Sequence, residues 1–270
     1  MRVKANTAIG GTLIGCLGLV AILAQFWTPY DPNAIDILHR LAPPSAAHWL
    51  GTDEFGRDQL SRAMVGAGTS AFVSVATVTC AIISGSIVGV VTGYFGGWPD
   101  RILMALNDAL LAFPGILLAL AVLVVVGGST TGLILALAIA YTPAVARLAR
   151  GMVMSLRTRE FVEASRMIGN SEFYSMIRHV VPNCVGPLTV LATAMLGWVL
   201  LAESALSFLG LGVPPPASNW GDMLAASRPY MQNAVWLELV PGFCITLTLL
   251  GINLLGDALR DRFDPRLRVM

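Results

Sequence analysis

The sequence predicts an all-α, polytopic membrane protein with six transmembrane helices. Two observations carry this. Charged residues make up 12% of the 270 positions, about half the roughly 25% of soluble domains, and mean hydropathy is +0.72. The apolar residues also gather into six runs of about 20 residues, the length a helix needs to cross roughly 30 Å of hydrocarbon. A transmembrane barrel would instead show ~10-residue alternating segments, and the sequence contains none.

The first span is expected over residues 7–27. Arg2 and Lys4 precede it as in a signal peptide, but Gln25-Phe26-Trp27 offers no small-residue cleavage site, so the span stays uncleaved. Trp27 and Tyr30 suit a membrane interface. In the polar loop over 28–66, Pro29, Pro32, Pro43 and Pro44 stop any helix from continuing. That loop and the first span form one segment, 1–66, ahead of a five-helix transmembrane domain over 67–270.

Span 2 covers 69–94 and carries Gly85, Gly89 and Gly93 four residues apart, one small-residue stripe suited to close helix packing in lipid. A tight turn over 96–101 leads to span 3, 102–126, which Asn107, Asp108 and Pro114 interrupt. After a turn at 127–132, span 4 covers 133–148, with Ala136, Ala140 and Ala144 on one face and Pro143 near its end. A polar loop over 147–182 follows, then span 5 at 184–206. The Gly/Pro-rich connection 207–234 is too irregular to cross a membrane. Span 6 covers 235–255, and a charged tail runs over 257–270.

The loop over 147–182 holds six of the seventeen basic residues. With the N-terminus inside and alternation through six spans, inside segments hold thirteen basic residues and outside segments four. This bias places both termini and the long loop in the cytoplasm. Within the loop the pattern is helix, break, helix. Small residues at Ala164 and Ser165 would let a partner approach closely, and Gly169 suits the left-handed residue that ends a helix. Asn170 or Ser171 can cap the next helix. Phe161, Val162, Met167 and Ile168 lie beside this turn, too few apolar residues to bury the loop by itself, so a docking partner is expected.

Glu163-Ala164-Ser165, Gly169 and Pro182, thirteen residues beyond the Gly, resemble the EAA loop of binding-protein-dependent ABC importer permeases, with Ser165 where the pattern has Ala. Three further blocks resemble the second permeases of dipeptide/oligopeptide/nickel importers. They are Leu50-Gly51-Thr52-Asp53 through Gly56-Arg57-Asp58 and Ser61-Arg62, Glu203 through the Ser207-Phe208-Leu209-Gly210-Leu211-Gly212 run to Trp220-Gly221, and Gly256-Asp257 through Asp264-Pro265-Arg266. The resemblance covers essentially the whole chain and implies a type I importer permease fold in the bacterial inner membrane. It implies pairing with a homologous but distinct permease, and two ATP-binding subunits docked on the loop (147–183) through Glu163, Ala164, Ser165, Gly169 and Pro182. It also implies a periplasmic or lipid-anchored binding protein outside and no nucleic-acid partner. ATP would be bound by the partner subunits, leaving no cofactor here. The chain itself has no GxxxxGK[ST] phosphate loop, G-x-S-x-G elbow or HExxH motif.

Other readings come from the residues directly. Asp108, Glu203 and Glu238 fall at or near membrane depth, where a carboxylate costs at least ~2.5 kcal/mol and normally faces a cavity or partner. They are the candidate pathway or substrate residues. Asp53, Arg57, Asp58 and Arg62 would pair along one face if helical, with Gly51-Thr52-Asp53 as cap and entry into span 2. Cys16, Cys80, Cys184 and Cys244 lie in or beside apolar runs without metal or disulfide spacing. No span holds a histidine, so direct metal ligation is not expected, although a nickel chelate needs no ligands from the chain. Peptide, nickel chelate, opine and glutathione all remain open as solute.

Overall fold

Helix α2, Gln59–Phe95, is the axis of the molecule in this computed structural model, which describes the backbone of residues 2–263 and the side chains of 5–261. Its 37 residues contain no proline and extend about 55 Å at 1.5 Å per residue, well beyond the hydrocarbon thickness. It begins ten residues before the expected 69 because Asp58 caps it, accepting from the Ser61 amide at 2.8 Å. The first turns are polar in sequence yet buried: Gln59 donates to the Leu237 carbonyl at 3.3 Å. Polarity here serves contacts within the chain, not solvent.

The remaining helices are α1 (Arg2–Leu23), α3 (Gly97–Leu111), α4 (Gly115–Val126), α5 (Thr130–Leu156), α6 (Glu160–Met167), α7 (Glu172–Ser175), α8 (Val181–Phe208), α9 (Trp220–Ser227) and α10 (Trp236–Phe263). α7 continues into α8 through one wide turn over Met176–Val180, so Glu172–Phe208 reads as one rod. Four-residue-spaced glycines seat α2 on α5. A Cβ at Gly85 would meet Val145 at 2.5 Å, one at Gly89 the Ala146 carbonyl oxygen at 2.4 Å, and one at Gly93 the Arg150 carbonyl oxygen at 2.9 Å. The expected packing stripe is therefore real, and it makes α2 and α5 run parallel.

This direction decides the number of crossings. Two consecutive long spans that run parallel require the chain between them to return across the membrane. The segment between them is α3 and α4, bent by 100° at Ala112–Pro114. Pro114 lacks the amide that would continue the ladder and disfavours helix at Phe113. The third span, expected to be interrupted at Asn107, Asp108 and Pro114, is thus broken at Pro114 and is still a single crossing. At the other edge, Gly10 of α1 abuts Leu254 and Leu255 of α10, and Gly251 abuts Leu13 and Ile14. Those helices are antiparallel, so α1 starts where α10 ends. Five straight helices and one bent pair make six crossings among the described residues.

Two other boundaries differ from expectation. Span 4 does not stop near 148 but runs to Leu156, and the expected second helix of the loop, from Glu172, runs on into span 5 without a break. The basic residues that made 147–156 look like loop are paired with α3: Arg150 with Asp100 at 2.6 and 2.7 Å, and Arg147 with Asp108 at 2.5 Å. The stretch 51–58 that leads into α2 is also not helical. Asp53 folds a turn by accepting from the Phe55 and Arg57 amides (2.8 and 2.9 Å) and the Arg57 Nε (2.6 Å), with Arg62 Nε 3.4 Å away. Asp53 thus pairs with Arg57 and Arg62 across a loop and not along a helix face, whereas the Asp58 carboxylate meets neither arginine and instead faces His48 Nδ1 at 3.0 Å while it caps α2. Asp264, Pro265 and Arg266 of the tail, and the Arg262 side chain, lie outside the described residues.

Candidate functional site

The excursion from α5 to α8 starts by tying itself to α2. Arg157 Nη1 donates to the carbonyls of Gly93 and Tyr94, both at 3.1 Å, where the last turn of α2 leaves carbonyls free and the helix dipole favours a cation. α6 then carries Glu160 and Glu163 in its first turn and Arg166 in its last, each at the end its charge favours. Val162 and Ser165 point into the protein and are buried, while Glu163 and Ala164 face out.

Ser165 does not have the role expected of it. Its hydroxyl meets Ser175 Oγ at 3.0 Å and accepts from Asn170 Nδ2 at 3.1 Å, so it closes the turn from inside and offers nothing to a partner. Val162 likewise joins Met176 and Val180 in a buried underlayer, so the loop does bury part of itself. Among the outward residues are large apolar ones: Met167 and Ile168 are 88% and 81% exposed, and Phe173 is exposed as well, alongside charged Glu160 and Glu163. Gly169 ends α6 at φ +93°, and Ser171 caps α7 by accepting from the Tyr174 amide at 3.2 Å. Both follow from local sequence. Pro182 is exposed in the first turn of α8 and directly follows the wide Met176–Val180 turn, whose ladder it cannot continue.

A polar cluster joins this element to the end of α2. Tyr94 Oη donates to Glu172 at 2.7 Å and accepts from Arg166 Nη2 at 3.2 Å, and Arg166 reaches Glu172 at 3.1 Å. The Arg166 guanidinium also lies 5.5 Å from the centre of the Tyr94 ring. Sequence reading missed Tyr94, Glu172 and Arg157. Tyr94 is 78 and 72 residues from its two partners, and no local pattern announces such contacts.

The three membrane-depth carboxylates are not brought together. Asp108 lies toward the loop end, exposed and paired with Arg147, which lines an open groove of about 730 Å³ between α5 and α8 with Gly151, Ser155 and Asn183. Glu203 is at the opposite end, 0% exposed, accepting from Ser207 at 3.2 Å and Ser204 at 3.4 Å. It is shut in by α9, whose Gly221 packs on the Ser204 carbonyl. Glu238 is half-buried in the first turn of α10. Beside Glu203, Asp222 of α9 accepts from the Asn219 amide group at 2.6 Å, and burial pushes its carboxyl up to about 6.

Residues 85–269 match the family described as binding-protein-dependent transport system inner membrane component. A dipeptide transport system permease protein of Alkalihalophilus pseudofirmus is 41% identical over 260 residues, covering 96% of this chain and 86% of the relative. A glutathione transport system permease protein of Pectobacterium atrosepticum is 39% identical, covering 96% and 86%. A di/tripeptide transport system permease protein of Pseudomonas aeruginosa is 40% identical, covering 97% and 88%. A full-length match at this identity, over a chain of six crossings, leaves one conclusion: the chain belongs to the binding-protein-dependent transport system inner membrane components, as a permease subunit of an ABC importer.

Proposed function

We propose that this permease carries short peptides, or a small solute of similar chemistry, and that α6–α7 is where an ATP-binding subunit drives it. The observation that carries the second part is the two-sided loop. Its underside is satisfied by Val162, Ser165 and Met176, while Met167, Ile168 and Phe173 present an apolar face with nothing of this chain upon it. Exposed apolar patches of this kind mark protein contacts. Glu163 and Ala164 sit on the same outward side, Gly169 fixes the turn, and Pro182 sets the start of α8.

A homologous, distinct permease completes the pathway, two ATP-binding subunits dock on the paired loops, and a binding protein delivers solute on the opposite side. ATP is hydrolysed on those partner subunits. The loop end, with thirteen of seventeen basic residues in its segments, is cytoplasmic. The dipeptide, di/tripeptide and glutathione permeases that this chain resembles over nearly its whole length support a short peptide as solute. Closure of the ATP-binding subunits draws the two loops together and rocks the spans between inward- and outward-facing arrangements.

The test uses the assembled complex in proteoliposomes. Ile168→Asp should release the ATP-binding subunit during purification, since it places a charge in the apolar contact. Gly169→Val should depress transport-coupled ATP hydrolysis, because a β-branched residue resists φ +93°. Wild-type co-purification in Ile168→Asp, wild-type coupled hydrolysis in Gly169→Val, or peptide transport by this chain alone overturns the reading.

A further inference from the structure

We infer that Tyr94, Arg166 and Glu172 form a clamp that transmits displacement of the docking element to α2, and that Tyr94 is its positioning residue. This rests on the reading that α6–α7 receives the ATP-binding subunit. α6 is eight residues long and cannot act as a lever by itself, while α7 is the first turn of the Glu172–Phe208 rod. Force on α6 reaches the membrane only through its attachments, and force on α7 passes into α8 and through the same attachments. The buried contacts of Val162 and Ser165 hold the element to its own underlayer and to the start of α8. The clamp instead joins α6, through Arg166, and α7, through Glu172, to one atom on α2.

That atom is well placed to pass motion on. The Tyr94 ring is buried and braced edge-on against Phe95 at 5.4 Å. Its hydroxyl both donates and accepts, and the Arg166–Glu172 pair closes the triangle, so neither short helix moves without loading it. α2 is an unbroken helix from there to its capped start, where Gln59 holds the Leu237 carbonyl and Ala63 accepts from Trp220 Nε1 at 3.1 Å. Displacement of one end therefore tilts the far end, against α9 and α10.

The clamp also separates coupling from stability. Arg166 and Glu172 side chains are 35% and 56% accessible, so water replaces the hydroxyl when it is removed and little folding stability is lost. A residue that only held the fold would lose assembly and transport together.

The experiment compares Tyr94→Phe, Glu172→Gln and the double variant in the complete complex. It measures co-purification of the ATP-binding subunit, thermal midpoint, ATP hydrolysis stimulated by the binding protein, and transport. Tyr94→Phe should assemble and melt as wild type, while solute transported per ATP falls roughly fivefold or more, the lower range of allosteric coupling. Glu172→Gln should act in the same direction, and the double variant should be no worse than the stronger single, because both break one network. Arg166→Lys, which keeps the charge, should restore more coupling than Arg166→Ala. Unchanged transport per ATP in Tyr94→Phe overturns the clamp, as does loss of assembly in proportion to transport. If Ile168→Asp leaves co-purification intact, the docking reading itself fails. If Ile168→Asp releases the subunit and Tyr94→Phe transports normally, only the clamp fails.

Discussion

A methyl group at Gly89 would sit 2.4 Å from the Ala146 carbonyl oxygen and 2.6 Å from the Ala149 side chain, with the Arg150 amide nitrogen at 2.8 Å. Two of these are backbone atoms and cannot rotate away. Gly89→Val should therefore push α2 off α5 and cost about 1–3 kcal/mol, as overpacking does, read as a lower thermal midpoint in detergent. Gly15→Ala is the control: nothing of the protein lies within 4 Å of its Cβ, and the midpoint should hold or rise slightly. A second residue-level test concerns Asp222, whose carboxyl burial raises from 3.8 to about 6 while Asn219 and Arg62 oppose the rise. Glu203 is the other acid that faces it. The folded chain then holds a proton between about pH 4 and 6 that the unfolded chain has released, so stability falls as pH rises through that window and is level above it. The group is partly exposed, so the effect is discounted to about 1 kcal/mol. Asp222→Asn should remove it, and midpoints recorded at pH 5 and pH 7 for both proteins check the sign.

At the scale of elements, the turn from α6 to α7 shows what sequence can announce. Gly169 as terminator and Ser171 as cap follow from chemistry acting over three or four residues, and both are found. The glycine stripe of α2 was legible for the same reason, since one helix period reveals one face. Span boundaries were not. Arg147, Arg150 and Gln59 read as loop polarity, yet they pair with residues 39 to 178 positions distant. Ser165 is the instructive case. A small residue in a docking helix invites the thought of a close partner, whereas its hydroxyl is used inward by Ser175 and Asn170. Ser165→Ala should leave Ser175 buried without its partner at a cost of about 1–3 kcal/mol. The expected signature is faster amide exchange confined to 160–180, with the ATP-binding subunit still bound, because the outward face is untouched.

For the whole molecule, the chain's own packing fixes relative direction and leaves one choice open. α2 and α5 are parallel, α1 and α10 antiparallel, and the bent α3–α4 pair returns the chain between them, so the start of α1 and the end of α10 lie on the same side as α6–α7. Hydropathy alone does not reach this, because the α3–α4 break counts equally well as a broken span or a re-entrant loop, and five crossings would separate the termini. The remaining choice is which side faces the cytoplasm, and the distribution of basic residues predicts the loop side. Single cysteines test both statements in a chain whose four native cysteines are replaced by alanine. Leu38, 93% exposed in the loop ahead of α2, and Met167, 88% exposed on α6, lie at opposite ends of the bundle. A membrane-impermeant thiol reagent added to intact spheroplasts should modify Leu38→Cys and spare Met167→Cys until the membrane is opened. Val126→Cys, at the end of α4, should behave like Leu38→Cys if the bent pair crosses, and like Met167→Cys if it re-enters. The second outcome would contradict the parallel packing of α2 and α5 and the six-crossing fold with it.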